Sequence, residues 1–164
     1  MALIAIQFIF SCGPSKADLA EKARLDSIRV ADSIHRADSI ARADSIQKAV
    51  ADSIARDSAA IAFVTDMYNN HKFENNSWLL KHCTKKVLKK LEADFDYDIE
   101  GGGLATWDFR TINQDGPSNR HEIISVTPLG DDWYEYKFYD MGNKGRRSIK
   151  LTYQDGSFMI DGLK

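Results

Sequence analysis

In residues 25–58, apolar side chains recur at every third position: Ile28, Ala31, Ile34, Ala37, Ile40, Ala43 and Ile46. They belong to a repeat in which Asp-Ser-Ile returns at Asp26, Asp32, Asp38 and Asp44, slips to Asp52, and closes on Asp57-Ser58. The segment holds no Gly or Pro and is rich in Ala, Arg and Asp, a composition that predicts a long helix. On an α-helix a step of six positions turns the side chain by about 600°, about 120° short of two full turns. Ile28, Ile34 and Ile40 therefore point in three directions, and no single apolar stripe runs down the helix. Nor is this the period of about 3.5 residues that a left-handed coiled coil needs. Support is expected instead from acid-first i, i+4 pairs: Asp32 with Arg36, Asp38 with Arg42, Asp44 with Lys48 and Asp52 with Arg56. Such pairs are worth roughly 0.2–0.5 kcal/mol each. Residues 17–58 are thus read as a charged helical stalk, a spacer on the order of 60 Å long at about 1.5 Å per residue. A disordered linker and a self-associating bundle are the competing readings. Past Ile46 the spacing lengthens. Val50, Ile54 and Ile61 then share one helical face with Ile46, which predicts that the end of the stalk packs on its own domain or a neighbour.

From residue 59 the helical pattern continues through Ile61, Val64, Met67 and Tyr68 and ends near Asn69-Asn70-His71. Asn76 or Ser77 is placed to cap a second helix over 78–83, and Thr84 a third from 85 to about 94, with Val87, Leu88 and Leu91 as its apolar stripe. Gly101-Gly102-Gly103 then breaks the chain, and the period changes to two. Residues 106–111, 122–126, 133–141 and 149–153 alternate. Turn signals separate them at Asp115-Gly116-Pro117, Leu129-Gly130-Asp131-Asp132, Gly142-Asn143-Lys144-Gly145 and Asp155-Gly156. Two or three helices followed by four or five antiparallel strands predict an α+β fold.

Residues 1–11 form an apolar run too short to span a bilayer as a helix. The run ends Ile9-Phe10-Ser11-Cys12-Gly13, which resembles the lipobox of bacterial lipoprotein signal peptides. No Lys or Arg precedes the run, which is met if the start lies upstream of Met1, and Phe10 is bulky for its position. The resemblance implies cleavage before Cys12, acylation of Cys12, and a place in the cell envelope, lipid-anchored and facing the periplasm or on the outer membrane. Two or more acyl chains give stable anchoring where one is marginal. Residues 12–16 then read as a polar tether, and 59–164 as the globular domain. That domain, opening on Phe63-Val64-Thr65-Asp66-Met67-Tyr68, is similar to the cone-shaped nuclear-transport-factor-2-like (cystatin-like) fold. More narrowly, it resembles a domain of unknown function found in exported bacterial proteins. The matching stretches are Leu88-Lys89-Lys90-Leu91, Trp107-Asp108-Phe109-Arg110-Thr111, Gln114-Asp115-Gly116, Pro128-Leu129-Gly130-Asp131-Asp132-Trp133-Tyr134 and the closing Gly156-Ser157-Phe158-Met159-Ile160-Asp161. The resemblance covers residues 60–164 but not the stalk. It implies helices packed on a curved antiparallel sheet with a pocket between them, which the long charged N-terminal helix read from the repeat would precede. It leaves function open, since such folds host enzymes and binding modules alike.

Composition narrows the partners. The 164 residues carry a net charge of −2, and residues 59–164 alone hold fourteen Lys and Arg against sixteen Asp and Glu. No basic surplus favours nucleic acid. Lys85, Lys86, Lys89 and Lys90 cluster, but Glu92, Asp94, Asp96 and Asp98 follow at once, as on a solvated helix face. With Cys12 acylated, Cys83 has no disulfide partner, and the domain is held by packing alone.

Chemistry is sparse. His35, His71, His82 and His121 lack metal-ligand spacing and read as surface residues, and no metal or cofactor is implied. Cys83, near Lys81, His82, Lys85 and Lys86, reads as a half-buried helix cysteine rather than an activated thiol. On a strand over 106–111, Asp108 and Arg110 would share one face and Trp107 and Phe109 the other. The charged pair is then either a surface pair or part of a ligand site in which Asp108 acts as a base. Tyr134, Tyr136 and Phe138 share a face that fills the core or lines a pocket. The tentative ligand-binding set is Trp107, Asp108, Arg110, Tyr134 and Tyr136, with no catalytic residue assigned. Three readings follow. The first is a non-catalytic envelope lipoprotein binding a small ligand or an envelope protein; the others are a hydrolase- or isomerase-type enzyme using Asp108, and a structural tether. An apolar, aromatic-lined cavity argues for the first of these.

Overall fold

The computed structural model describes residues 15–95, 102–111 and 116–164. The chain is α+β, with a long N-terminal helix and a curved four-stranded antiparallel sheet. It divides into two compact units, Met1–Ala51 and Asp52–Lys164, and helix α1 (Lys16–Asn69) contributes to both.

In the first unit, Ser15 and Asp18 cap α1 reciprocally. The Ser15 amide donates to Asp18 Oδ2 at 3.1 Å and the Asp18 amide to Ser15 Oγ at 3.2 Å. Every described residue of this unit is exposed. The repeat's serines turn back on the helix: Ser27, Ser33, Ser39 and Ser45 each donate to a carbonyl three or four residues earlier. Satisfied in this way, serine is compatible with a helix interior. Ile28, Ile34, Ile40 and Ile46 are all exposed, as their divergent directions require. Ile46, Val50 and Ile54, the face expected to pack on the domain or a neighbour, are 53–63% exposed in the single chain. Burial along α1 starts only at Ala60, and Ile61 is half-buried.

In the second unit, the end of α1 buries Ala60, Val64, Met67 and Tyr68, a spacing of four, three and one that makes one helical face. The chain then reverses through His71, held at φ 51°, into a 3-10 turn (Lys72–Glu74) that buries Phe73. Helix α2 (Asn76–His82) is capped by Asn75, whose side chain accepts from the Trp78 amide at 3.1 Å. Helix α3 (Lys85–Ala93) buries Val87 and Leu91. Thr84 precedes it, but its hydroxyl donates across to Asp161 at 3.1 Å instead of capping the helix.

The strands are β1 (Glu122–Gly130), β2 (Trp133–Asp140), β3 (Asn143–Gln154) and β4 (Ser157–Leu163), paired in that order. Asp131-Asp132, Met141-Gly142 and Asp155-Gly156 join them, all six residues with positive φ. Such two-residue turns match the twist of the flanking strands. Register shifts between Ile123 and Ser125, Pro128 and Gly130, and Lys150 and Leu151 mark irregularities of the kind that bend a sheet. The helices join the β4 edge where the Thr84 amide donates to the Ile160 carbonyl at 2.9 Å.

The expected strand over 106–111 is absent. Thr106–Phe109 is a 3-10 turn, with Asp108 bonding back to Ala105 and Arg110 to Trp107. The Ala105 amide is tied to the Leu91 carbonyl at 2.9 Å, which fixes this segment to α3 and away from any strand partner. At about three residues per turn, side chains two apart diverge by about 120°. Phe109 therefore enters the core while Trp107 lies half-buried against Phe95.

Candidate functional site

Cys12 lies outside the described residues. The five tentative ligand-binding residues are placed apart from one another. Trp107 stacks on Phe95 with ring centroids 5.6 Å apart. Asp108 forms an ion pair with Lys90, which also reaches Asp94 at 2.5 Å. Burial alone would lower the Lys90 pKa, but its bonds to Asp108 and Asp94 outweigh that and raise it. Arg110 points elsewhere, to Asp140 at 2.9 Å and Glu74 at 3.0 Å. The two charges expected on one strand face thus serve different partners. Tyr134 and Tyr136 belong to the core with Phe138. The Tyr136 hydroxyl is wholly buried and donates to the Phe109 carbonyl at 2.8 Å. The Tyr134 hydroxyl donates to Asp57 at 2.8 Å; burial, reinforced by that carboxylate, pushes its pKa up to about 12.

The Arg110 contact leads to a polar cluster that sequence reasoning missed. Asp140 closes β2 on the inward parity of Tyr134, Tyr136 and Phe138, and its side chain is 0% exposed. Its Oδ2 accepts from the Thr111 amide at 2.9 Å, the Thr111 hydroxyl at 2.5 Å and Arg110 Nε at 3.1 Å. Oδ1 lies 2.9 Å from Arg110 Nη2 and 3.2 Å from His121 Nδ1, yet neither Oδ1 nor that nitrogen has a well-directed hydrogen bond. The rings of His121 and His71 meet edge to face at 5.0 Å. Burial works to raise the Asp140 pKa, but the Thr111 and Arg110 bonds outweigh it and hold the carboxyl below its ordinary range. His121 is lowered, chiefly by burial and despite the Asp140 charge. With Arg147 donating to the Arg110 carbonyl at 2.9 Å, the cluster pins 110–111 to the end of β2. Three donors of the protein converge on Oδ2 and Oδ1 has only the nearby Arg110 charge, an arrangement suited to holding structure. A charge at core parity was its visible signal in the sequence; nothing linked His121 to it.

Cys83 is buried, and burial pushes its thiol up to about 12, so the nearby lysines leave it a poor nucleophile. His82 stacks on Trp78 with centroids 4.2 Å apart. Among the described residues, no group of three or more His, Cys, Asp or Glu has metal-holding geometry.

The concavity with binding character lies elsewhere. Arg56, Ala59, Tyr153 and Phe158 line a half-open groove of about 450 Å³, between the helix and the β3–β4 hairpin. Phe158 carries the wall inward, contacting Phe63 at 5.7 Å and Tyr153 at 5.1 Å between centroids. Tyr153 is 56% exposed, with its hydroxyl held by the Gly156 carbonyl at 3.1 Å. Arg56 is anchored by Asp132 at 2.9 Å. The volume lies within the range of about 300–1,000 Å³ typical of ligand sites, and the lining is mainly apolar.

No protein-family model matches the chain, and no curated protein matches it. Among solved structures, a protein of unknown function from Bacteroides thetaiotaomicron is similar in fold. Its TM-score is 0.56 at 21% identity, and the match covers 73% of this chain and 98% of that one. Among the described residues, no helix is long and apolar enough to cross a membrane.

Proposed function

We propose that this chain is a lipid-anchored envelope protein whose Asp52–Lys164 unit is a non-catalytic binding module, with the Arg56–Tyr153–Phe158 groove as its recognition surface. The observation that carries the binding reading is the groove's lining: two aromatic rings, an alanine and one anchored guanidinium, with no acid–base pair among them. Asp108, the base an enzyme reading would use, is engaged by Lys90. The lining suits an apolar or aromatic group carrying an acidic neighbour, on a small ligand or an envelope protein. The anchor rests on the lipobox-like Ile9-Phe10-Ser11-Cys12 run. Helices preceding a curved antiparallel sheet support assigning the unit to the nuclear-transport-factor-2-like folds, here with the interior filled by aromatic side chains.

Two measurements test this reading. Cys12→Ser should abolish palmitate incorporation and release the protein from membranes; a Cys12→Ser protein that still incorporates label disproves the anchor. In a ligand screen followed by amide NMR, binders should shift Arg56, Ala59, Tyr153 and Phe158, and Tyr153→Ala should remove those shifts. Shifts clustered around Asp108 would return the weight to an enzyme.

A further inference from the structure

The side of the sheet turned away from the core carries an unbalanced group of cations. Strand β2 alternates, with Tyr134, Tyr136, Phe138 and Asp140 inward and Glu135, Lys137 and Tyr139 outward. The β2–β3 register sets Lys137 directly opposite Arg146, and Tyr139 opposite Lys144. Directly paired residues of an antiparallel ladder share a face, so these side chains are neighbours. Lys137, Lys144 and Arg146, with Ile124 and Gly145, line a depression of about 240 Å³. Glu135, 3.5 Å from Lys137, is the acid beside them. Among the described residues, no carboxylate forms an ion pair with Lys144 or Arg146. Arg120 lies nearby, 3.7 Å over the Tyr139 ring, but is already paired with Glu122. Like charges directly opposite on a sheet destabilise it, and the single acid Glu135 offsets only one of the three cations when the depression is empty.

We propose that this depression binds a phosphate group. The Arg146 guanidinium offers a planar fork for two phosphate oxygens, while Lys137 and Lys144 act as point charges on the third. With Glu135 set against Lys137, the three cations leave two positive charges, which a divalent phosphate balances and a carboxylate, with one charge, only half balances; this decides for phosphate. The depression is shallow and accepts one phosphate with the rest of its molecule in solvent. The same chemistry is offered by a soluble polyphosphate and by an anionic lipid headgroup. The site shares no residue with the groove at Tyr153 and does not depend on that reading.

The test titrates the full chain carrying Cys12→Ser with sodium pyrophosphate, against sodium chloride at matched ionic strength. The amides of Lys137, Lys144, Gly145 and Arg146 should move on one saturating isotherm, and the melting temperature should rise with ligand. Arg146→Gln should weaken binding at least about tenfold, since the charge-assisted fork to two oxygens is lost. Arg146→Glu sets an acid opposite Lys137, so it should raise the melting temperature without ligand and abolish the response. A gain in stability shows that the lost binding is not lost folding. Arg146-dependent sedimentation with phosphatidic acid vesicles, whose headgroup is a phosphomonoester, assigns the phosphate to a headgroup. Pyrophosphate binding without such sedimentation assigns it to a soluble ligand. The absence of a saturable shift at these amides, or an unchanged affinity in Arg146→Glu, overturns the proposal.

Discussion

Asp140 shows how one side chain couples the fold to pH. Its carboxylate is fully buried and gathers the Thr111 amide, the Thr111 hydroxyl and Arg110. Its pKa is depressed in the folded state, so the stability it contributes is complete above the unfolded value of about 4 and is lost as pH falls through the folded value. His121 acts in the same direction for a different reason. Its folded pKa is lowered by burial, so its contribution is complete above the unfolded value of about 6.5 and declines as pH falls from there towards the folded value. Urea midpoints measured from pH 8 to pH 3 should therefore fall in two steps. Asp140→Asn should cost about 2–3 kcal/mol at pH 7, since Arg110 and Thr111 lose a charged acceptor, and should flatten the step below pH 4. His121→Gln should remove the step that begins near pH 6.5 and leave the lower one. A wild-type midpoint independent of pH over this range would show that the cluster does not hold the fold.

At the scale of elements, the 3-10 turn Thr106–Phe109 carries the sharpest contrast between neighbouring residues. Phe109 is fully buried, stacked on Phe73 at 5.8 Å between centroids, while Asp108 meets Lys90 at the surface. Phe109→Ala should cost about 3–5 kcal/mol in chemical denaturation. Asp108→Ala should cost about 1 kcal/mol, since its partner Lys90 is half-exposed and keeps Asp94. A costly Asp108→Ala beside a silent Phe109→Ala would mean that the turn faces the other way. The same turn marks the limit of what the sequence disclosed. Thr106-Trp107-Asp108-Phe109-Arg110-Thr111 alternates as a strand would, but six residues are too few to separate period two from a period near three. What decides is the Ala105–Leu91 backbone bond, a contact between distant positions that no local pattern encodes. Two hairpins were legible because their turns use local chemistry: Asp and Gly at Asp131-Asp132 and Asp155-Gly156 accept positive φ. The β2–β3 turn instead falls on Met141-Gly142, and Asn143-Lys144-Gly145, expected as turn, opens β3. The cap of α2 was legible to within a residue or two for the same reason, while Thr84 precedes α3 without capping it. The polar cluster was not, since Glu74, Arg110, His121 and Asp140 meet only once the chain is folded.

At the scale of the whole molecule, the division at Ala51 and Asp52 predicts which piece folds alone. Every buried residue of α1 lies at or beyond Ala60, and the described part of the first unit buries none. That part has helix propensity, capping and backbone-bonded serines, but none of the packing that supplies most helical stability in proteins. A peptide of residues 17–51 should therefore show partial helicity that falls with temperature and with salt, as pairs such as Glu21–Arg24 are screened. A fragment of residues 52–164 should unfold cooperatively at the melting temperature of the full chain, with Trp78, Trp107 and Trp133 as fluorescent reporters. The cut matters at the level of single contacts. Starting at residue 59 instead deletes Arg56, which pairs with Asp132, and Asp57, which accepts from the Tyr134 hydroxyl. The exposed Arg56 pair is worth at most about 1 kcal/mol. The Tyr134 bond is worth about 1 kcal/mol more, because its hydroxyl then loses a charged acceptor at the edge of the core. The 59–164 fragment should thus fold, but about 1–2 kcal/mol less stably than 52–164. Equal stability of the two would place the end of the stalk at residue 58. Failure of 52–164 to fold cooperatively would show that the preceding helix contributes to the domain after all.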